Sequence, residues 1–176
     1  MDRYFHLDAA NRQLVDTRRG AHNRLGFAVQ LGTVRFIGRF LPNPADVPAA
    51  VVAYVAAQLG IDDPDILKGY AQRRSTQWEH AGEIQRTYGY RDFSDPAVQT
   101  ELTAWLAARE RVSAGRPSVL FDLATARLVD AEVLLPGTSL LERLVATARE
   151  QAAHQLHAEL AAATLPPYGQ PSKSAA

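Results

Sequence analysis

Apolar positions recur every three to four residues along nearly the whole chain, and alternating apolar–polar runs are almost missing, so the pattern predicts an all-α fold. Asp8 is placed to cap a first helix over residues 9–18, with Gly20 as its C-terminal stop. A second helix is predicted over residues 21–37. Leu25, Ala28, Val29, Gly32 and Phe36 form its apolar stripe, and Phe27, Leu31 and Val34 extend it around most sides. A helix apolar all round belongs at the buried centre of a small bundle. Gly38 and the LPNP run end it.

Punctuation residues divide the rest. Pro48 opens a third helix that stops at Gly60, and Asp63-Pro64 opens a short fourth to about Gln72. Ser75 or Thr76, with Glu79 behind, reads as a capping box for a fifth helix that ends near Tyr88-Gly89. Ser94 with Asp95-Pro96 opens a sixth to about Val112, and Gly115-Arg116-Pro117 breaks it. A seventh spans residues 117–132, VLLPG connects, and Thr138 caps an eighth that runs to about Leu165. Residues 3–7 and 132–135 are the two short strand candidates. The expectation is about eight helices in two small helix-turn-helix-like bundles that meet near residues 60–64. Residues 1–60 form the first unit, residues 61–163 the second, and residues 164–176 a Pro/Ser/Gly-rich disordered tail.

Composition narrows the function class. Hydrophobic residues at 47% and charged residues at 22% are ordinary for a globular protein. No apolar run reaches the ~18 residues of a membrane span, and MDRYFHLDAA is not a secretory signal, so a cytoplasmic location is expected. Without cysteine there is no disulfide framework and no thiolate zinc site. The formal net charge is zero, but its distribution is uneven. Residues 1–91 carry 12 Lys/Arg against 9 Asp/Glu, and the remainder carries 7 against 10. The first half is therefore the side that would face a polyanion.

Two clusters carry the candidate chemistry. Arg18, Arg19, His22, Asn23 and Arg24 surround the junction of the first two helices, where guanidinium groups and helix-start N–H groups can meet phosphate. The same residues also suit a solvated turn. The second cluster is Arg73, Arg74, Thr76, Gln77, His80, Gln85 and Arg86. There, Trp78, Ala81, Ile84 or Gln85, and Tyr88 are expected to face the core. Thr76, Gln77, His80, Glu83 and Thr87 are expected to face outward as a DNA-reading surface. Glu79 and Glu83 oppose phosphate binding, and a plain solvated face has the same pattern. His154 and His157 with Glu150 could in principle ligate a metal, and a solvated helix face is the preferred reading, so neither a metal nor a cofactor is expected. No HExxH, phosphate loop or nucleophile elbow is present.

Four segments, RYFHLDAANRQLVDTRRGAHNRLGFAVQLGTVRFIGRFLP, VAYVAAQLGI, YAQRRSTQWEHAGEIQRTYGYRDF and VLLPGTSLLERLVATARE, together resemble the N-terminal region of the transposases of replicative, Tn-three-type transposons. The resemblance implies two small helical DNA-binding units that contact the terminal inverted repeats of the element. It also implies a dimerisation region and an acidic-triad catalytic domain further on, beyond these 176 residues. The expected function is therefore binding of double-stranded DNA at transposon ends without strand cleavage. The competing reading is a regulatory fragment that pairs with full-length transposase.

Overall fold

The computed structural model describes residues 2–112 and 116–163. Among these residues it is all helical, with nine α-helices and one short 3₁₀ turn. They are α1 (Asp2–Phe5), α2 (Ala9–Asp16), α3 (Ala21–Ile37), α4 (Ala49–Gln58), the 3₁₀ turn (Pro64–Ile66), α5 (Leu67–Ala71), α6 (Arg74–Tyr88), α7 (Pro96–Val112), α8 (Pro117–Asp130) and α9 (Thr138–Ala163). The stretch read as a first strand is instead helix α1 with the link that follows it. The second strand candidate contributes a single parallel bridge between Arg91 and Val133, and no strand forms among the described residues. The expected tail, and the end of the last helix beyond residue 163, lie outside the described residues, as does Gly115.

Local signals placed most boundaries. Asp8 caps α2 as expected, accepting from the Asn11 N–H at 2.8 Å. α2 ends two residues early, at Asp16, which leaves Arg18 in the connecting turn. Gly38 (φ 71°) and Gly89 (φ 72°) take the left-handed conformation that closes α3 and α6. The capping box proposed for α6 does not form. Arg73 occupies the N-cap position without a side-chain cap, so Ser75 and Thr76 lie inside the first turn. The α8 helix stops at Asp130, and Glu132 takes φ 54° in the turn after it.

The chain divides into two compact units, and the expected division near residue 60 does not match them. Among the described residues, unit 1 comprises 2–98 and 125–136, and unit 2 comprises 99–112, 116–124 and 137–163. Residues on both sides of position 60 share one core in unit 1, from Leu25, Phe27 and Val55 to Leu67, Tyr70 and Ile84. Every residue from Leu25 to Val34 is buried, so α3 is the central helix the sequence pattern implied. It packs against α1, α2, α4, α5 and α6.

Two close approaches fix that packing. A Cβ added to Gly26 would lie 2.2 Å from the Tyr70 ring, and one added to Gly32 would lie 2.2 Å from the Phe5 ring. Gln58 of α4 closes the link after α1. It accepts from the Leu7 N–H at 2.8 Å and donates to the Phe5 carbonyl at 2.9 Å. Residues 125–136 complete unit 1 through backbone bonds. Arg91 N–H donates to Glu132 O, Leu134 N–H to Arg91 O, and Leu135 N–H to Gly38 O. In unit 2, Leu102, Leu106, Leu120, Leu141, Val145 and Ala148 are buried, and Arg149 Nε donates to Glu110 Oε1 at 3.1 Å.

Candidate nucleic-acid interface

The α6 helix follows a five-residue helix across a two-residue link, and its inward face is polar at its centre. Gln77, His80 and Ile84 are buried, whereas Trp78 is 79% exposed. Three positions of the expected face are corrected: Gln77 and His80 do not point outward and Trp78 does not enter the core, while Ile84 and Tyr88 lie inward and Thr87 outward as expected. The cause is a hydrogen-bond network that gives those polar groups partners. Gln77 Nε2 donates to the carbonyls of Tyr70 (3.1 Å) and Ala71 (2.8 Å), tying α6 to the end of α5. Gln30 Nε2 donates to the Tyr70 hydroxyl at 2.7 Å, and that hydroxyl lies 3.0 Å from His80 Nδ1. With Gln30 supplying a donor, the Tyr70 proton is free to go to Nδ1, which places the imidazole proton on Nε2.

Ring packing completes the network. The His80 ring stacks on Tyr70 at 5.5 Å and meets Phe27 edge-on at 5.2 Å. Burial pushes the His80 pKa down to about 4, with the nearby Arg18 charge as the second cause and Glu83 opposing. Burial likewise pushes the Tyr70 hydroxyl up, so both groups are neutral near neutral pH.

The first arginine cluster is divided between the fold and the surface. Arg18 holds Glu83 of α6 with both terminal nitrogens, Nη1 to Oε2 at 2.6 Å and Nη2 to Oε1, and its guanidinium lies 4.7 Å from the Phe27 ring centroid. Its side chain is 17% exposed, so it is a tie between the α2–α3 turn and α6 rather than an open cation. The same contact removes the Glu83 carboxylate as an obstacle to phosphate. Arg24, half-buried, lies 3.6 Å from the exposed Asp16. Asn23 donates to the Arg19 carbonyl at 2.8 Å, and His22 is half-buried.

Arg19, Arg73, Arg74 and Arg86 are exposed, and among the described residues none of them has an ion-pair partner. Thr76 is half-buried. The α6 N-terminus has no side-chain cap, so its first N–H groups are open to an anion beside Arg73 and Arg74. Beside α6 lies a groove of about 480 Å³ lined by Phe40, Leu41, Pro42, Trp78, Ala81 and Gly82, with Gln30, Gln77 and Gln85. Sequence reasoning missed Trp78 and Gly82 as surface features and Glu83 as the partner of Arg18. No group of three or more His, Asp or Glu side chains is arranged to hold a metal among the described residues, His154 and His157 included. No helix among them is long and apolar enough to cross a membrane.

An all-helical domain whose central helix is locked to a helix with exposed, unpaired arginines is the class these features define. The chain belongs to the family described as a domain of unknown function, DUF4158, whose model matches residues 1–148. It is similar to the N-terminal region of transposases of the Tn-three type. The transposase for transposon gamma-delta of Escherichia coli (strain K12) is 44% identical over 160 residues, 91% of this chain. The transposase for transposon Tn1546 of Enterococcus faecium is 31% identical over 153 residues, 87% of the chain, and that for Tn501 of Pseudomonas aeruginosa is 32% identical over 164 residues, 90% of the chain. The chain spans only 16%, 15% and 16% of the length of these three relatives.

Proposed function

We propose that this chain binds double-stranded DNA at the terminal inverted repeats of a transposon and serves as the recognition part of a transposase, acting in the cytoplasm. The similarity to transposases for named transposons supports the DNA ligand. The observation that carries the reading to particular residues is the set of exposed, unpaired arginines at helix starts and on α6: Arg19, Arg73, Arg74 and Arg86. Arg73 and Arg74 beside the uncapped start of α6 offer both long cations and backbone donors to one stretch of phosphate. No strand-cutting chemistry is proposed for these residues. The second reading, pairing with full-length transposase, is favoured by Leu156 and Leu160 of α9, which are 56% and 55% exposed at i, i+4 spacing.

Salt separates the two readings. Labelled-DNA anisotropy should show a duplex carrying the gamma-delta terminal repeat bound more tightly than a scrambled duplex, with affinity falling steeply as salt rises. The Arg73→Ala/Arg74→Ala double variant should bind both duplexes more weakly and flatten the log–log salt slope by roughly one unit for each phosphate it no longer neutralises. Its melting temperature should be unchanged, because both residues are exposed. A double variant with parental affinity and slope would remove this pair from the interface. Saturable self-association that is insensitive to salt, with no duplex binding, would favour the pairing reading.

A further inference from the structure

The outward face of α6 differs from the one its sequence suggested, and its composition is unusual for a solvated helix surface. Arg74, Trp78, Gly82 and Arg86 follow one another at four-residue spacing and so form a single row along the helix. Trp78 is 79% exposed at the centre of that row. An indole in the open is not explained by the core of unit 1, whose α6 contributions are Gln77, His80 and Ile84.

Gly82 is the second anomaly. Glycine inside a helix weakens it relative to alanine. At Gly26 and Gly32 the reason is a ring pressed against the backbone. At Gly82 an added Cβ would meet only the flexible end of Arg86, at 3.3 Å. Nothing within the fold requires a glycine there, and a close approach from outside would.

Charge selects the kind of occupant. Arg74 and Arg86 lie about 18 Å apart along the helix axis at 1.5 Å per residue, which is enough to straddle a major groove about 12 Å wide. Glu79 is the one carboxylate left exposed on this side of α6, since Glu83 is held by Arg18. A row with cations at its ends and an indole and bare backbone between them fits phosphates flanking base edges and sugars.

We propose that this row is the DNA-reading surface. Trp78 packs on base edges or deoxyribose, Gly82 lets the helix backbone reach the groove floor, and Arg74 and Arg86 hold the phosphates on either side. The assignment rests on the DNA-binding reading above and replaces Gln77 and His80 as the side chains that discriminate sequence.

Trp78 and Trp105 are the two tryptophans of the chain, so Trp105→Phe leaves Trp78 as a single reporter. In that background the gamma-delta repeat duplex should quench Trp78 emission and shield it from iodide, in step with the anisotropy of the labelled duplex. Trp78→Ala and Gly82→Ala should each weaken repeat binding roughly tenfold. Gly82→Ala should melt at or above the parental temperature, a combination that a purely structural role does not produce. If anisotropy reports duplex binding while Trp78 emission, iodide access and both variants' affinities stay parental, this row is not the DNA surface and the DNA-binding reading stands. If no duplex binds at all, both fall. If poly-glutamate at matched charge changes Trp78 emission as the duplex does, the face is a docking site for acidic protein and the assignment is overturned.

Discussion

Arg18 and Arg19 are adjacent in sequence and separate in role. Arg18 spends its charge on Glu83, while Arg19 is exposed and without an ion-pair partner. Arg18→Ala would leave the half-buried Glu83 carboxylate without its fork of donors and strip the guanidinium from the Phe27 ring. The expected cost is about 1–3 kcal/mol, visible as a lower urea midpoint. Arg19→Ala should shift stability by about 0.5 kcal/mol or less, and under the proposed function it lowers only the affinity for duplex DNA. His80 makes a second prediction at this scale. Its folded pKa of about 4 lies below the ordinary 6.5, so the unfolded chain takes up a proton at a higher pH than the folded one. The stabilisation is complete above about 6.5, shrinks as pH falls towards 4, and is gone below that, a loss of up to about 3 kcal/mol. Urea titrations at a series of pH values across this window should show the decline. His80→Asn, which retains an acceptor near the Tyr70 hydroxyl, should start from a lower plateau and show a flatter profile.

At the scale of elements, what the sequence made legible was local. Asp8 as a cap, residues 21–37 as a helix apolar on most sides, and Gly38 and Gly89 as stops all depend on neighbours a few residues away. The inward positions of Gln77 and His80 depend on groups that the local pattern of α6 does not contain. Gln77 and His80 are buried because Tyr70, Gln30 and Phe27 meet them there, and Gln30 precedes Tyr70 by 40 residues. Glu83 was read as a repulsive carboxylate because its partner Arg18 lies 65 residues away. An indole is apolar by composition, and the pattern alone therefore sent Trp78 inward. The approach of α3 to α5 can be tested directly. Gly26→Ala drives a methyl into the Tyr70 ring and should cost about 1–3 kcal/mol or more by thermal melt. Gly69→Ala, with nothing within 4 Å of the new carbon, should be neutral or mildly stabilising.

For the whole molecule, the neutral formal charge conceals a division of labour among its arginines. Arg18 and Arg35 hold unit 1 together, the latter through Asn11 Oδ1 at 2.9 Å and the Tyr88 ring, while Arg73, Arg74 and Arg86 remain on the surface. Unit 1 is also discontinuous: the chain leaves it after Val98 and returns at Thr125 to supply Leu128 and the buried Val133. A ribosome releases the N-terminal segment first. When residue 98 emerges, the Gly38 carbonyl and both backbone groups of Arg91 still await their partners at 132–135. At about 5–20 residues per second, closure lags by a few seconds of synthesis. During that interval the nascent chain carries its arginine-bearing helix on an unfinished body, so the order of translation places completion of unit 1 after residue 136 has been made.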